Sequence, residues 1–211
     1  MSEIYDIKGG RYAREVLPSR ADTEFDRVRD GWFFADRTLK VSIQLAKVTA
    51  DLKRLQRLPI VETADYTEDI FRIAHESFTR DRRFHVAPKC DQTVSAIVLR
   101  EWVDQLGVSL VCLYHEKPIG FLNLRENFVH LAAVEEKYRV TGAAMGLYAR
   151  AVELARERGF KTLDGRISSL NTPVMNLYAS FGAMFSDPED VFLRELGSRE
   201  VGTLGSRDVG K

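Results

Sequence analysis

The sequence predicts an α/β (α+β) fold: a mixed, mostly antiparallel central sheet flanked by helices, with a small N-terminal α/β extension. Three observations carry this. From residue 57 the patterned segments run strand, helix, helix, three strands, helix, strand, helix, strand. Strands that follow one another through short turns pair antiparallel, whereas the later strand–helix–strand step makes a parallel pair. The chain has 211 residues and is 45% hydrophobic, enough for one sizeable core and a smaller appendage.

Taken in order, residues 1–20 are polar and weakly patterned and carry no assignment. ADTEFDRVRDG reads as a short helix, with Phe25 and Val28 three apart and Gly31 as its stop. Leu39, Val41, Ile43 and Leu45 alternate with Lys40, Ser42 and Gln44, the period of a strand. Residues 22–48 are therefore expected to form a helix–strand unit leaning on the main body, followed by a charged connector over 49–57. Ile60 and Val61 suit a short strand. Asp65 with Glu68 three residues later resembles a capping box for a helix through Phe78, with Ile70, Ile73, Ala74 and Phe78 inward. TRDRRFHVAPKC is a loop, and a helix runs from near Asp91 to Gly107.

SLVCLYHEKPIGFLNLR reads as a hairpin turning at HEKPIG, with Pro118 and Gly120 as breakers. NFVHLAAVEE is a strand. It leads through EEKYRVTGAA into an amphipathic helix closed by Gly159. KTLDGRIS is a strand, and NTPVMNLYASFGA a helix with Asn171 at its start, Pro173 in its first turn and Gly182 past its end. VFLREL is the last strand. The expected division is an extension over 1–56, a main domain over 57–197, and a flexible tail over 198–211 that ends a near repeat, LGSREVG and LGSRDVG.

Composition narrows the function. Lys+Arg and Asp+Glu balance at 31 each, and no base-stacking array or basic stripe is present, which argues against a nucleic-acid binder. Cys90 and Cys112 make neither a disulfide framework nor a CxxC pair, so a reduced cytoplasm is the expected compartment. The start lacks the apolar run of a signal peptide, and no apolar stretch approaches the ~20 residues that cross a bilayer. A soluble protein is expected, with no membrane partner. His75 and His115 read as solvated or structural, and no set of histidines and carboxylates has metal-ligand spacing.

The stretch RVTGAA, residues 139–144, stands at a helix start. Backbone N–H groups there lack intrahelical partners and the helix dipole adds partial positive charge, so the end binds phosphate well. Gly142, Ala143 and Ala144 carry no bulk over those amides, and Arg139 adds charge at the rim. Plain close packing explains the same small residues.

The context resembles the GNAT superfamily of N-acetyltransferases. A strand ending in small apolar residues, VHLAAV, runs into the pattern R/Q-x-x-G-x-G/A, here Arg139, Val140, Thr141, Gly142, Ala143 and Ala144. One helix and one strand later comes a segment similar to N-x-x-A-x-x-L-Y-x-x-x-G, here Asn171 through Leu177, Tyr178 and Gly182. The resemblance covers residues 58–195. It departs at Val140, where glycine is common, and at Val174, where alanine is usual. It implies the GNAT fold, acetyl-CoA as co-substrate with its pyrophosphate on the amides of residues 139–144, and Asn171, Val174 and Leu177 along the pantetheine arm. SFTRDRRFHVAPKCDQTVSAIVLREWV further resembles the TDP-fucosamine acetyltransferase group, through Phe84, His85, Pro88 and Trp102, with Ala87 where aspartate is usual. That implies a nucleotide-linked amino deoxysugar as the small-molecule amine, contacted by Arg83, Phe84 and His85. A homodimer is the candidate assembly.

Acetyl transfer needs a neutral amine, a polarised thioester carbonyl and a protonated leaving thiolate. The resemblance implies two parallel strands that splay to admit pantetheine, with an amide near Ala133 and Val134 polarising the carbonyl. It makes Tyr178 the candidate general acid, its ordinary pKa of roughly 10 lying near that of a departing thiol. His130 is a candidate proton relay, against the plainer reading of an exposed or sheet-edge histidine. Packing alone is the rival role for Tyr178 and Trp102, and solvation for the run RDRR. Two other functions stay open: acetylation of another amine, such as a metabolite or a peptide amino terminus, and an acyl-CoA-binding module without catalysis.

Overall fold

The computed structural model describes residues 3–7, 10–19, 31–78 and 99–196. Its strands are β1 (Glu3–Ile7), β2 (Gly10–Pro18), β3 (Phe33–Gln44), β4 (Ile60–Thr63), β5 (Ser109–Tyr114), β6 (Lys117–Arg125), β7 (Phe128–Val134), β8 (Thr162–Ser168) and β9 (Met184–Leu196). The helices are α1 (Leu52–Leu55), α2 (Thr67–Ser77), α3 (described over 99–104), α4 (Ala143–Glu157) and α5 (Thr172–Ser180). The described strands form one nine-stranded sheet in the order β1-β2-β9-β3-β8-β7-β6-β5-β4. Every pairing is antiparallel except β7 with β8. The predicted mixed, mostly antiparallel sheet with flanking helices is therefore the observed one.

The two faces of the sheet differ. On one, α1, α4 and α5 bury Val41, Ile43, Leu110, Leu122, Leu147 and Tyr178. On the other, α2 and α3 bury Ile70, Ile73, Leu99, Val103, Phe121 and Leu131. Strand alternation explains the split: Leu110 and Cys112 belong to the first core and Val111 to the second. Trp102 packs against the second core, in the role that competed with a sugar-binding floor.

Several expectations change. β3 does not lean on the main body. It lies inside the sheet, paired with β8 over Thr38–Gln44 and with β9 on its other side. Its alternation makes Val41 and Ile43 buried members of the main core, and a strand buried on one face and flanked on both edges is interior. The unassigned N-terminal residues supply β1 and β2, a hairpin added to β9. The capping box does not form: Tyr66 holds the N-cap position of α2 without a side-chain cap, while Asp65 Oδ2 accepts from Thr63 Oγ1 at 2.9 Å and Glu68 pairs with Arg100 at 2.8 Å. The connector contains α1, capped by Asp51 accepting from the Arg54 N–H at 3.1 Å.

The hairpin turns at His115 and Glu116, with φ of 46° and 63°, two positive values in succession as in a tight two-residue turn. Pro118 and Gly120 therefore lie inside β6. Gly120 is there because β7 comes close: a Cβ would meet Val134 Cγ2 at 2.8 Å and Ala133 O at 3.0 Å. The helix expected over 21–30, the loop 79–90, the first part of the helix from Asp91 and the tail from 197 lie outside the described residues.

Candidate active site

β7 and β8 pair for only two rungs, Phe128↔Asp164 and Val129↔Gly165. Beyond Gly165, β8 stays on β3 as far as Ser168, while β7 stays on β6 as far as Val134. The two strands thus part after their second rung, and the sheet opens between them. Each wall is held by the strand behind it rather than by its opposite. The predicted parallel step is where this opening lies.

The amides at the opening follow from alternation. The Glu135 N–H donates to Ile119 O in β6 at 2.9 Å, so the Val134 N–H points the other way, toward the side that β8 has left. Of Ala133 and Val134, the strand geometry therefore turns the Val134 amide to the opening and the Ala133 backbone to β6. The Val134 carbonyl accepts from Arg139 Nε at 3.2 Å. The guanidinium expected at the rim of a phosphate site is thus braced on the end of β7.

Residues Glu136–Thr141 form a 3-10 turn, and Gly142 then takes φ 85°, a left-handed value that glycine adopts without penalty. This sharp reversal starts α4 at Ala143. Gly142, as N-cap, has no side chain to offer that N-terminus, and the side-chain bond found there comes from Thr141. Thr141 Oγ1 donates to Tyr138 O at 2.7 Å and accepts from the Ala143 N–H across a long 3.4 Å. Val140 projects outward, 92% exposed, so the side chain that replaces glycine does not cover the amides. A Cβ at Gly142 would meet nothing within 4 Å, so it is the left-handed φ and not crowding that calls for glycine here.

The loop is tied down from below. Glu135 is buried at 6% exposure and takes Arg72 Nη1 of α2 at 2.6 Å and Lys137 Nζ at 3.1 Å. Burial pushes its carboxyl pKa up. The bonds from Arg72 and Lys137 outweigh that and hold it below the ordinary carboxylate value. Arg72 also reaches Pro118 O at 3.4 Å, so one guanidinium joins α2, β6 and the end of β7. Sequence reading passed over both residues, because an Arg–Glu pair 63 positions apart leaves no local pattern.

On α5, Asn171 is the N-cap, its Oδ1 accepting from the Val174 N–H at 3.3 Å. That uses the acceptor and leaves the amide NH₂ to donate elsewhere. Val174 and Leu177 pack against the main core from the same helix. Tyr178 is 1% exposed. Its hydroxyl lies against Gly165: a Cβ there would stand 2.7 Å from Tyr178 Oη. Since Gly165 is on the last rung shared with β7, Tyr178 Oη marks the apex of the opening. Burial first, then the neighbouring Tyr148 and the Asp164 carboxylate, raise the Tyr178 pKa well above the ordinary phenol value.

His130 follows Val129, one residue past the last rung. The β6–β7 register slips at this point, with Asn123 opposite Leu131 but Leu124 opposite Val129, so His130 is the extra residue of a bulge. The strict alternation that would group it with Ala132 is interrupted. Its ring is exposed and meets Phe128 edge-on at 5.0 Å. Partial burial, then the charge of Arg125, lower its pKa, so it is neutral near pH 7. Arg83, Phe84 and His85 lie outside the described residues. Among the described residues, no group of three metal-ligating side chains is present and no helix is long and apolar enough to cross a membrane.

Comparison with known proteins agrees with this geometry. The model of the acetyltransferase (GNAT) family matches residues 67–183. The chain is an acetyltransferase, and it belongs to the GNAT family. No curated protein matches it. Among solved structures it is similar to a functionally unknown conserved protein from Staphylococcus epidermidis (14% identity, TM-score 0.61, 86% of this chain and 72% of that one). It is also similar to a GCN5-related N-acetyltransferase from Sphaerobacter thermophilus (12%, 0.57, 86% and 59%). A third is a putative GNAT-family acetyltransferase from Novosphingobium aromaticivorans (15%, 0.57, 89% and 76%). At these identities the likeness is one of fold.

Proposed function

We propose that the protein transfers acetyl from acetyl-CoA directly to a primary amine, and that the amine belongs to a nucleotide-linked amino deoxysugar. The observation that carries the transfer reading is the parting of β7 and β8 beside the start of α4, whose N-cap is a glycine. A thioester arm fits between the strands, and a diphosphate fits at the start of α4, on the amides past the 3-10 turn, where helix-end charge favours it. The Val134 N–H polarises the thioester carbonyl. Asn171, Val174 and Leu177 line the arm, Tyr178 protonates the departing sulfur, and His130 takes the proton the amine gives up.

Two observations support a polar, sugar-like acceptor. On the face away from α4, β8 and β3 present Asp164, Arg166, Ser168, Thr38, Lys40 and Ser42 side by side, since each pairs in register with another of the set. Within the set Ser42 Oγ donates to Asp164 at 2.6 Å and Arg166 donates to Thr38 Oγ1 at 3.3 Å, while Ser168 Oγ donates to Asp36 beside it at 2.8 Å. The sequence RDRRFH, residues 80–85, carries arginines suited to phosphate.

A second reading has its own observation. Tyr178 at 1% exposure fits a purely structural residue. A thiol-release assay with acetyl-CoA and an amine panel separates the two. Turnover with TDP-linked amino sugars, inhibition by TDP, and a fall of at least about 100-fold in kcat for Tyr178→Phe support the proposal. Turnover only with peptide amino termini overturns the acceptor, and unchanged kcat in Tyr178→Phe overturns the acid.

A further inference from the structure

We propose that Arg72 is a positioning residue for acetyl transfer: from α2, through the buried Glu135 carboxylate, it holds the free end of β7 so that the Val134 N–H meets the thioester carbonyl. The inference rests on the reading of that amide as the carbonyl's hydrogen-bond donor. Past Val129, β7 is paired on one edge only, with β6. The residues that form this wall of the opening thus lack the second strand that would steady them, and Val134 is the last of them. What steadies them comes from α2. Arg72 Nη1 donates to Glu135 Oε1 at 2.6 Å, and Nη2 of the same guanidinium donates to Pro118 O at 3.4 Å. Arg72 also has carboxylates on its own helix, Asp69 at 3.5 Å and Glu76 at 3.7 Å, yet its shortest contact is the one that leaves the helix.

The brace has a rigid root and acts on the right peptide. Ile70, Ile73 and Ala74 bury α2 against Phe121 and Leu131, so the helix is not free to follow the strand end. The peptide that joins Val134 to Glu135 is bonded at both ends. Its carbonyl accepts from Arg139 Nε at 3.2 Å, and its N–H donates to Ile119 O at 2.9 Å. The Glu135 side chain adds the third hold, the one that crosses to α2. The Val134 N–H lies one planar unit back along the strand, so its direction follows from that peptide. As the amine nitrogen bonds the thioester carbon, the carbonyl π pair moves onto oxygen. The pair returns as the C–S bond breaks and sulfur takes the bonding electrons. An N–H aimed at the oxygen gains most while that oxygen carries charge, so its aim affects the rate more than the binding. The proposed diphosphate site is the start of α4, beside a turn that Thr141 ties to Tyr138 O at 2.7 Å without Arg72.

The test is Arg72→Ala, read for kcat, for the Kd of CoA and for the infrared carbonyl stretch of bound acetyl-CoA, isolated by isotope editing. CoA has the diphosphate and no acetyl carbonyl, so it reports the grip alone. At about 0.15 M salt the lost charge is screened over about 8 Å. The expected result is a kcat about 10- to 100-fold lower, as when a reacting group shifts by close to an ångström, with the Kd of CoA within about threefold. The carbonyl stretch should move from its bound position in the parent toward that of free acetyl-CoA. Arg72→Gln keeps a long side chain and a hydrogen bond while losing the charge, and is read in the same way if Arg72→Ala does not fold. Parent values of kcat and of the carbonyl stretch in the variant overturn the inference while the Val134 assignment stands. A rise in the Kd of CoA that accounts for the loss, with the carbonyl stretch unchanged, overturns it in favour of a brace that serves stability alone. A carbonyl stretch in the parent equal to that of free acetyl-CoA removes the Val134 reading and the inference together.

Discussion

Gly165→Ala tests the apex of the opening directly. The added methyl would stand 2.7 Å from Tyr178 Oη, 3.3 Å from Val41 Cγ1 and 3.6 Å from Tyr178 Cζ. Relief to an ordinary contact near 3.4 Å needs about 0.7 Å of movement. Val41 is fully buried on the interior strand β3, so it does not yield easily. The movement falls on the Tyr178 ring, which must tilt away from β8. Overpacking of this kind costs about 1–3 kcal/mol, which for a chain of this size lowers the melting temperature by roughly 2–12 °C. Misplacing a reacting group by close to an ångström costs up to about 100-fold in rate, so kcat should fall about 10- to 100-fold. Differential scanning fluorimetry and the thiol-release assay read the two effects separately. A destabilised enzyme with wild-type kcat would show that the hydroxyl is no part of the reaction. A variant unchanged in both would show that Tyr178 does not approach β8 this closely.

Other outcomes follow from the same geometry. In Gly142→Asp a carboxylate at the helix start gains from the dipole while the left-handed backbone costs it, so the melting temperature should stay within a few degrees. The same charge repels a diphosphate, and KM for acetyl-CoA should rise at least about tenfold. Arg72→Ala leaves the buried Glu135 with Lys137 alone, and denaturant unfolding should show a loss of about 1–3 kcal/mol. Because the folded Glu135 carboxyl lies below its ordinary value of 4.5, its contribution is complete above that pH and is lost as pH falls through the lower folded value. Melting curves against pH should therefore lose less in acid for Glu135→Gln than for the parent.

The sequence by itself determined the element order of the main body and the local geometry at the two helix starts. These are local facts. Gly142 with its small neighbours, Asn171 followed by Pro173, and Gly159 and Gly182 after the helix ends each act within a few residues, through φ, caps and periodicity. Tertiary structure alone decided what stands behind the opening. β3 enters the sheet between β8 and β9, Arg72 reaches Glu135, Tyr148 meets Tyr178, and Gly165 admits the hydroxyl. Each of these joins residues far apart in the chain. Patterning says only that such a side chain is buried or polar, and the partner it finds depends on which strands lie next to one another. Strand order in turn is set by how the whole apolar surface is covered.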